Sequence, residues 1–349
     1  MLNSIRIENL TAFQDAQLQL CPGINIIVGE NGCGKSHLLK AAYASLATGV
    51  LDARKSPGTA PSKGKLQSAY GEKLVNVFRP EKLGGIVSNK SIQSCTMSFE
   101  CTNSQHSVSF EFSARAETEV KINQLPKRWN SEKVVFFPAR ELMTSYAWLP
   151  NTYKNHYLEI DEAYVDTCDL LGALPVKGSR EVEAKALLKP LEDAMGGTLV
   201  LDKNGRFYLQ TGLGRKIEIS LLAEGLRKLA MIARLIANGT LLSSGLLFWD
   251  EPEANLNPKL IKLLAKSILD LSMNGVQVVC ATHSLFLLRE IELMASKPVY
   301  HNLPQRYFAL KPGGDSRVSV EQGGAVDDLE TLVLLDEELA QSDRYMEAE

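Results

Sequence analysis

Cysteine is scarce and scattered. The six thiols, Cys21, Cys33, Cys95, Cys101, Cys168 and Cys280, form no C-x-x-C pair. That spacing excludes a disulfide framework and a cysteine-built zinc site, and it fits the reduced thiols of a cytoplasmic protein. Long hydrophobic runs are missing too: none approaches the ~18 residues of a membrane-spanning helix. The opening "MLNSIRIENL" has no basic segment leading into an apolar one, so neither a signal peptide nor membrane contact is expected. Charge of one sign is absent as a global property. The formal net charge of −3 gives no overall drive toward nucleic acid, so any such contact would have to be local. No internal repeat is present, and no heptad run is long enough for a coiled coil.

What remains is the composition of a globular protein. Of 349 residues, 45% are hydrophobic and 23% charged, enough for a large core and more consistent with two lobes than one. "IRIENL" and "AQLQL" alternate as hairpin strands do, and "GINIIVG" is a more continuous, buried strand. "KSHLLKAAYASLATG" follows at helical spacing and predicts a helix capped by Gly49. Residues 52–65, rich in Pro, Gly, Ser and Lys, read as a flexible insertion. From Asp52 to Lys90 there are eight Lys/Arg against three Asp/Glu; a solvated loop is the ordinary explanation, and a polyanion contact is the alternative.

Further along, "SIQSCTMSFEC" with "SVSFEFS" predicts a hairpin, and "KVVFFP" predicts a buried strand. Residues 141–191 read as mostly helical, with an acidic face in "YLEIDEAYVDTCDLLG" that offers a docking surface. "GTLVLDKNGRFYLQT" is a hairpin turning at Asn204-Gly205. "LLAEGLRKLAMIARLIANG" is an amphipathic helix ending at Gly239. "SGLLFWDEPEANLNP" is a buried strand entering a loop. A helix, the strand and loop "VQVVCATHS", and another helix follow it.

Two stretches carry chemistry. Gly29-Glu30-Asn31-Gly32-Cys33-Gly34-Lys35-Ser36, followed by His37, fits G-x-x-x-x-G-K-[ST] between a strand and a helix. Its glycines let successive N–H groups face phosphate oxygens, and the helix dipole adds to them. Lys35 would reach the β- and γ-phosphates, and the Ser36 hydroxyl would ligate Mg²⁺. A phosphate cradle needs a second carboxylate on the metal side. "GLLFWDEPE" supplies it, with Asp250 toward the metal and Glu251 placed to polarise an attacking water. Thirty-two residues after Glu251, His283 ends another buried strand, where it could sense the γ-phosphate.

Together these pieces resemble the compact ABC-type ATPase heads of the SMC/RecF/OLD group, which are AAA-family ATPases. "IRIENLTAFQDAQLQLCPGINIIVGENGCGKS" is similar to the N-terminal half of such heads, "LFWDEPEANLNP" to their Walker B and D-loop, and "ATHS" to their switch histidine. The resemblance implies an α/β fold. Its core would be a RecA-like mixed/parallel sheet, joined by an antiparallel β lobe and an inserted α-helical signature lobe. Residues 1–140 would then be the N-terminal half, 141–240 the signature lobe, 241–320 the C-terminal half and 321–349 an acidic C-terminal helix. It further implies ATP and Mg²⁺ as ligands, and a homodimer sandwiching two ATP molecules, with a higher oligomer left open. No guanine-reading N-K-x-D segment is present.

The chain departs from the family's pattern in places. "LLAEGLRKLA" lies at the signature position but has Ala223 where a serine is usual; Gly225 remains, and Arg227 or Lys228 could compensate with charge. The Q-loop position is filled by "FFPARE", with Arg140 or Glu141 in place of glutamine, and Thr11 to Phe13 match the adenine-contacting segment. Only 66 residues follow His283, without the spaced acids of a TOPRIM nuclease.

"LLAEGLRKLAMIARLI" and "LDEELAQSDRY" resemble the small ATPases of bacterial anti-phage systems (Septu-type, retron-associated and OLD-like). The implied role is a slow ATPase acting as sensor or regulator, with a separate effector protein, a nuclease or toxin. A DNA-repair or chromosome-handling head and an ATP-locked scaffold are the competing readings, and DNA contact stays open. The segment from Val326 has nine acids against one arginine, with Leu329, Leu332, Leu335 and Leu339 at helical spacing. That face either packs on its own lobe or docks a partner.

Overall fold

A computed structural model describes residues 1–55, 59–88, 94–130, 132–156, 158–313, 318–330, 341 and 343–347. Lys90, residues 91–93, Tyr157, Leu332, Leu335 and Leu339 lie outside the described residues.

The chain begins with β1 (Leu2–Leu10), β2 (Phe13–Gln19) and β3 (Ile24–Gly29), then α1 (Lys35–Lys55) and α2 (Lys63–Phe78). Strands β4 (Cys95–Cys101), β5 (Val108–Phe112), β6 (Lys121–Gln124) and β7 (Val134–Phe137) come next. A helical region holds α3 (Leu149–Asn155), α4 (Glu162–Leu171) and α5 (Ser179–Met195). It continues into a small sheet of β8 (Gly197–Leu201), β9 (Phe207–Thr211) and β10 (Lys216–Glu218), and then α6 (Glu224–Ala237). The chain returns through β11 (Gly245–Asp250), α7 (Pro258–Met273), β12 (Val276–Thr282), α8 (Leu285–Ala295), β13 (Gln305–Pro312) and β14 (Val318–Gly323).

The central sheet has the order β14-β13-β3-β12-β11-β7. Its strands are parallel except for the antiparallel edge strand β14. This is why "INIIVG" and "VQVVCAT" are unbroken apolar runs: every residue of β3 and of β12 is buried, as expected of strands covered on both faces. A second sheet, β2-β1-β4-β5-β6, is antiparallel throughout. It forms one core with α1 and α2 through Phe13, Phe99, Phe110, Leu39 and Tyr70. A larger core joins the other face of the central sheet to α5, α6 and α7. The mixed, mainly parallel sheet, the antiparallel lobe and the intervening helices match the fold class read from sequence.

Some local expectations change. α1 does not stop at Gly49 but continues to Lys55, because nothing crowds the glycine and the helical pattern runs through it. Together with α2, it reaches into both ends of the stretch read as an insertion. Part of the acidic face beside α4 is engaged inside the molecule, although Glu159 and Asp169 are exposed. Asp161 caps α4 by accepting from Ala163 N at 2.8 Å, and Lys40 Nζ lies 2.8 Å from its Oδ2. Lys73 is buried against Glu162, 3.0 Å away, and against Asp166, which also accepts from the Tyr43 hydroxyl at 2.6 Å. One member of the local basic excess is therefore consumed inside the molecule. Replacing Lys73 with Met would leave these carboxylates without their cation and is expected to cost roughly 3 kcal/mol of stability, read as a lower denaturant midpoint at unchanged slope.

At the C-terminal side, Val326 and Leu329 are buried in the larger core, so the start of the acidic segment packs on its own lobe, whereas the described residues 341 and 343–347 are exposed. Among the described residues, no helix is long and apolar enough to cross a membrane.

Candidate nucleotide site

Four parallel strands end together on one edge of the central sheet. In the ladder, Val28 of β3 is opposite Thr282 of β12, and Ala281 is opposite Asp250 of β11. Trp249 is in turn opposite Phe137, the last residue of β7. The turns after all four strands therefore open at one level, the usual place for ligands in open α/β sheets.

The turn after β3 is the glycine-rich loop. Gly34 has φ +85°, and a Cβ there would lie 2.8 Å from Phe13 Cε2; the position needs glycine for conformation and for space. Phe13 itself is fully buried, so it braces the loop and has no face left for a base, contrary to the adenine-contact expectation. Thr11, at φ +45°, points its hydroxyl to His37 Nδ1 at 3.1 Å. The His37 ring is 5.6 Å from that of Phe78, and burial lowers its pKa. Lys35 is buried and donates to Gly29 O at 2.7 Å and Glu30 O at 2.9 Å, a folded-back pose that phosphate oxygens could replace. Asn31 and Gly32 are exposed at the loop's tip, whereas Cys33 is buried beneath it. Burial raises the Cys33 thiol's pKa.

Asp250, at the end of β11, meets this loop. Burial raises its carboxyl pKa, and the Ser36 hydroxyl beside it opposes the rise. Lys40 and Lys35 oppose it as well, while the neighbouring Glu251 adds to it. Asp250 Oδ1 is buried with no hydrogen-bond partner. A buried carboxylate oxygen left open beside a serine hydroxyl is a donor set suited to a hard, oxygen-seeking divalent cation.

Glu251 follows in the left-handed region at φ +45°, uncommon for a non-glycine residue and a mark of tightly held backbone. Its Oε1 lies 3.2 Å from His283 Nδ1. His283 is held from below by a residue that motif reading passed over. Glu253 Oε1 accepts from the Thr282 hydroxyl at 2.6 Å and from His283 N at 3.3 Å. The signal was present as the third acid of "DEPE", but its partner is 29 residues away. Ser284 then caps α8, accepting from Leu287 N at 3.2 Å.

The signature segment lies beside this turn. Ala223 is the N-cap of α6, with no side-chain hydrogen bond to the helix. Gly225 allows close packing, since a Cβ there would be 3.0 Å from Leu256 Cδ2. The two basic residues read as a compensating charge turn inward. Arg227 Nε lies 2.9 Å from Glu141 Oε1, and its Nη1 donates to Leu222 O at 2.8 Å. Lys228 is fully buried, and desolvation brings its pKa down to about 8. Of the two Q-loop candidates, Glu141 is held by Arg227 and by Thr144, whose hydroxyl donates to it at 2.7 Å. Arg140 is exposed, in the charged surroundings of Tyr164 that also include Lys40, Asp161 and Asp250.

A glycine-rich loop, a buried aspartate and a following glutamate share the C-terminal edge of a mixed sheet, on a fold of the SMC/ABC ATPase-head type. Residues 24–289 match the family model described as "AAA domain, putative AbiEii toxin, Type IV TA system", and the chain belongs to that family. It is similar to an "ATP/GTP phosphatase" of Helicobacter pylori (strain ATCC 700392 / 26695), at 22% identity over 326 residues, spanning 81% of this chain and 85% of the relative. Among solved structures it is similar to an Smc head domain with an extended coiled coil bound to the C-terminal domain of ScpA, derived from Pyrococcus furiosus. The TM-score is 0.54 at 11% identity, with 99% of each chain covered. An SmcHead bound to the C-winged helix domain of ScpA gives 0.53 at 12% identity, covering 95% of this chain and 99% of that one. At such identities the likeness is one of fold.

Proposed function

We propose that this chain binds ATP with Mg²⁺ at the edge of the central sheet and hydrolyses it slowly. It would act as the sensor or regulatory subunit of a bacterial anti-phage complex whose effector is a separate protein. The observation that carries the catalytic part is the meeting of Ser36 with Asp250 while Glu251 stands against His283. Ser36 and Asp250 would hold Mg²⁺, which would supply charge neutralisation at the β- and γ-phosphates. Lys35 would leave the Gly29 and Glu30 carbonyls for phosphate oxygens, and the loop amides from Glu30 to His37 would cradle the rest. Glu251 would accept the proton of the attacking water, and His283 would sense the γ-phosphate. The relative named a phosphatase for ATP and GTP supports turnover.

The function would be carried by an ATP-dependent homodimer, in which Ala223 and Gly225 at the start of α6 meet the nucleotide of the other copy. Without a hydroxyl at Ala223, only backbone and helix dipole remain for that contact, which fits slow closure and slow turnover. The functional lobes would follow the divisions 1–140, 141–240 and 241–320. The family description names a putative toxin of a Type IV TA system, which supports a separate partner protein. The test is phosphate release from Mg-ATP by the purified chain, together with its sedimentation with and without a non-hydrolysable ATP analogue. Absence of both hydrolysis and analogue-dependent dimers would sink the reading. The Smc-like fold favours one rival, a DNA-handling head; that rival predicts hydrolysis stimulated by DNA and strongly weakened by salt.

A further inference from the structure

We infer that Lys228 is a positioning residue for hydrolysis: it fixes the backbone turn that aims Glu251, and so links the first turn of α6 to the catalytic carboxylate. The inference rests on the ATPase reading above.

The observations are geometric. Lys228 is 1% exposed, and among the described residues its ammonium makes no direct carboxylate pair. Its Nζ instead donates to two main-chain oxygens of one turn, Glu251 O at 3.1 Å and Ala254 O at 3.0 Å. That turn is unusual: Glu251 has φ +45° and Asn255 has φ +62°. The Glu251 carbonyl also accepts from Ala254 N at 3.1 Å, and Leu256 N donates to Glu253 O at 3.0 Å. The left-handed residue at the strand end turns its carbonyl inward, and the ammonium is the side-chain group that meets it. Backbone in this region costs of order 1–3 kcal/mol and persists only where its surroundings hold it.

Two further contacts join the same pieces. Asn255 Nδ2 donates to Glu224 Oε1 at 2.9 Å. Gly225 lets α6 approach so closely that a Cβ would be 3.3 Å from Asn255 O. Glu224, Gly225 and Lys228 thus grip one turn from one helix end. A methionine could fill the Lys228 volume without a desolvated charge. What it could not do is hold two inward carbonyls, and a shift of the Glu251 Cα of even ~1 Å would misplace the base.

The test compares Lys228→Met with wild type at saturating Mg-ATP, in protein whose unliganded melting is cooperative. kcat is expected to fall roughly 10- to 100-fold, while the melting shift produced by Mg-ATP stays at the wild-type value. Lys228→Arg, which keeps a donor, should recover part of the loss. A purely structural lysine would lower the unliganded Tm and leave kcat in place, and that result would overturn the inference. If Lys228→Met does not fold, Lys228→Gln serves as the variant: reduced kcat at unchanged KM supports the inference, and wild-type kcat overturns it. Failure of the underlying reading is distinguishable, because the wild-type chain would then release no phosphate at all.

Discussion

Glu251→Gln is expected to lower ATP hydrolysis by about 10²–10⁴-fold, the usual range for removing a general base, while leaving Mg-ATP binding intact. Glu251 is half-buried and faces His283 at 3.2 Å, while the oxygen left open toward the loop belongs to Asp250. The substitution therefore removes a proton acceptor and leaves the cradle and the cation donors alone. Steady-state phosphate release checks the loss. The melting shift checks binding, since ligand at 100 times its Kd adds about 2.7 kcal/mol. With chemistry blocked, an ATP-bound dimer should accumulate in sedimentation. Wild-type turnover in the variant would remove Glu251 from the mechanism and leave an ATP-locked scaffold as the better account.

Lys35→Met should do the reverse and abolish the Mg-ATP melting shift itself, a loss of the same ~2.7 kcal/mol at matched ligand concentration. The folded protein should survive. Lys35 satisfies Gly29 O and Glu30 O at 2.7 and 2.9 Å, and losing those bonds is worth about 1 kcal/mol beside the exposed rim of the loop. A variant that melts near the wild-type temperature and ignores Mg-ATP is the expected result. A variant that keeps the full shift would mean that nucleotide, if bound at all, is bound somewhere else.

The parts of the site that could be read in sequence are contiguous. The glycine loop needs only local backbone chemistry, and Asp250-Glu251 and His283 announce themselves as polar residues at the ends of apolar strands. The residues that escaped are those whose partners lie far along the chain. Arg227 and Lys228 read as charges for the signature contact, yet one reaches Glu141 and the other crosses to the turn after β11. The acidic run near α4 likewise reads as a polar face until Lys40 and Lys73 arrive from α1 and α2. Phe13 illustrates the same limit for an aromatic residue. Its place in sequence suggested contact with a base, and tertiary packing spent it on Gly34. The fold was more legible, because period and burial agree in β3, β4, β5, β7, β11 and β12, whereas Gly49 misled as a helix terminator.

Gln277 has a consequence for how the molecule comes apart. Its buried side chain accepts from Leu2 N at 2.8 Å and donates to Leu2 O at 2.7 Å and Cys21 O at 2.8 Å. One amide thus acts as an extra rung between the first strand of the antiparallel sheet and β12 of the parallel one. Opening either sheet alone would strand these polar groups without water, so the two should melt together as a single cooperative unit rather than as separable lobes.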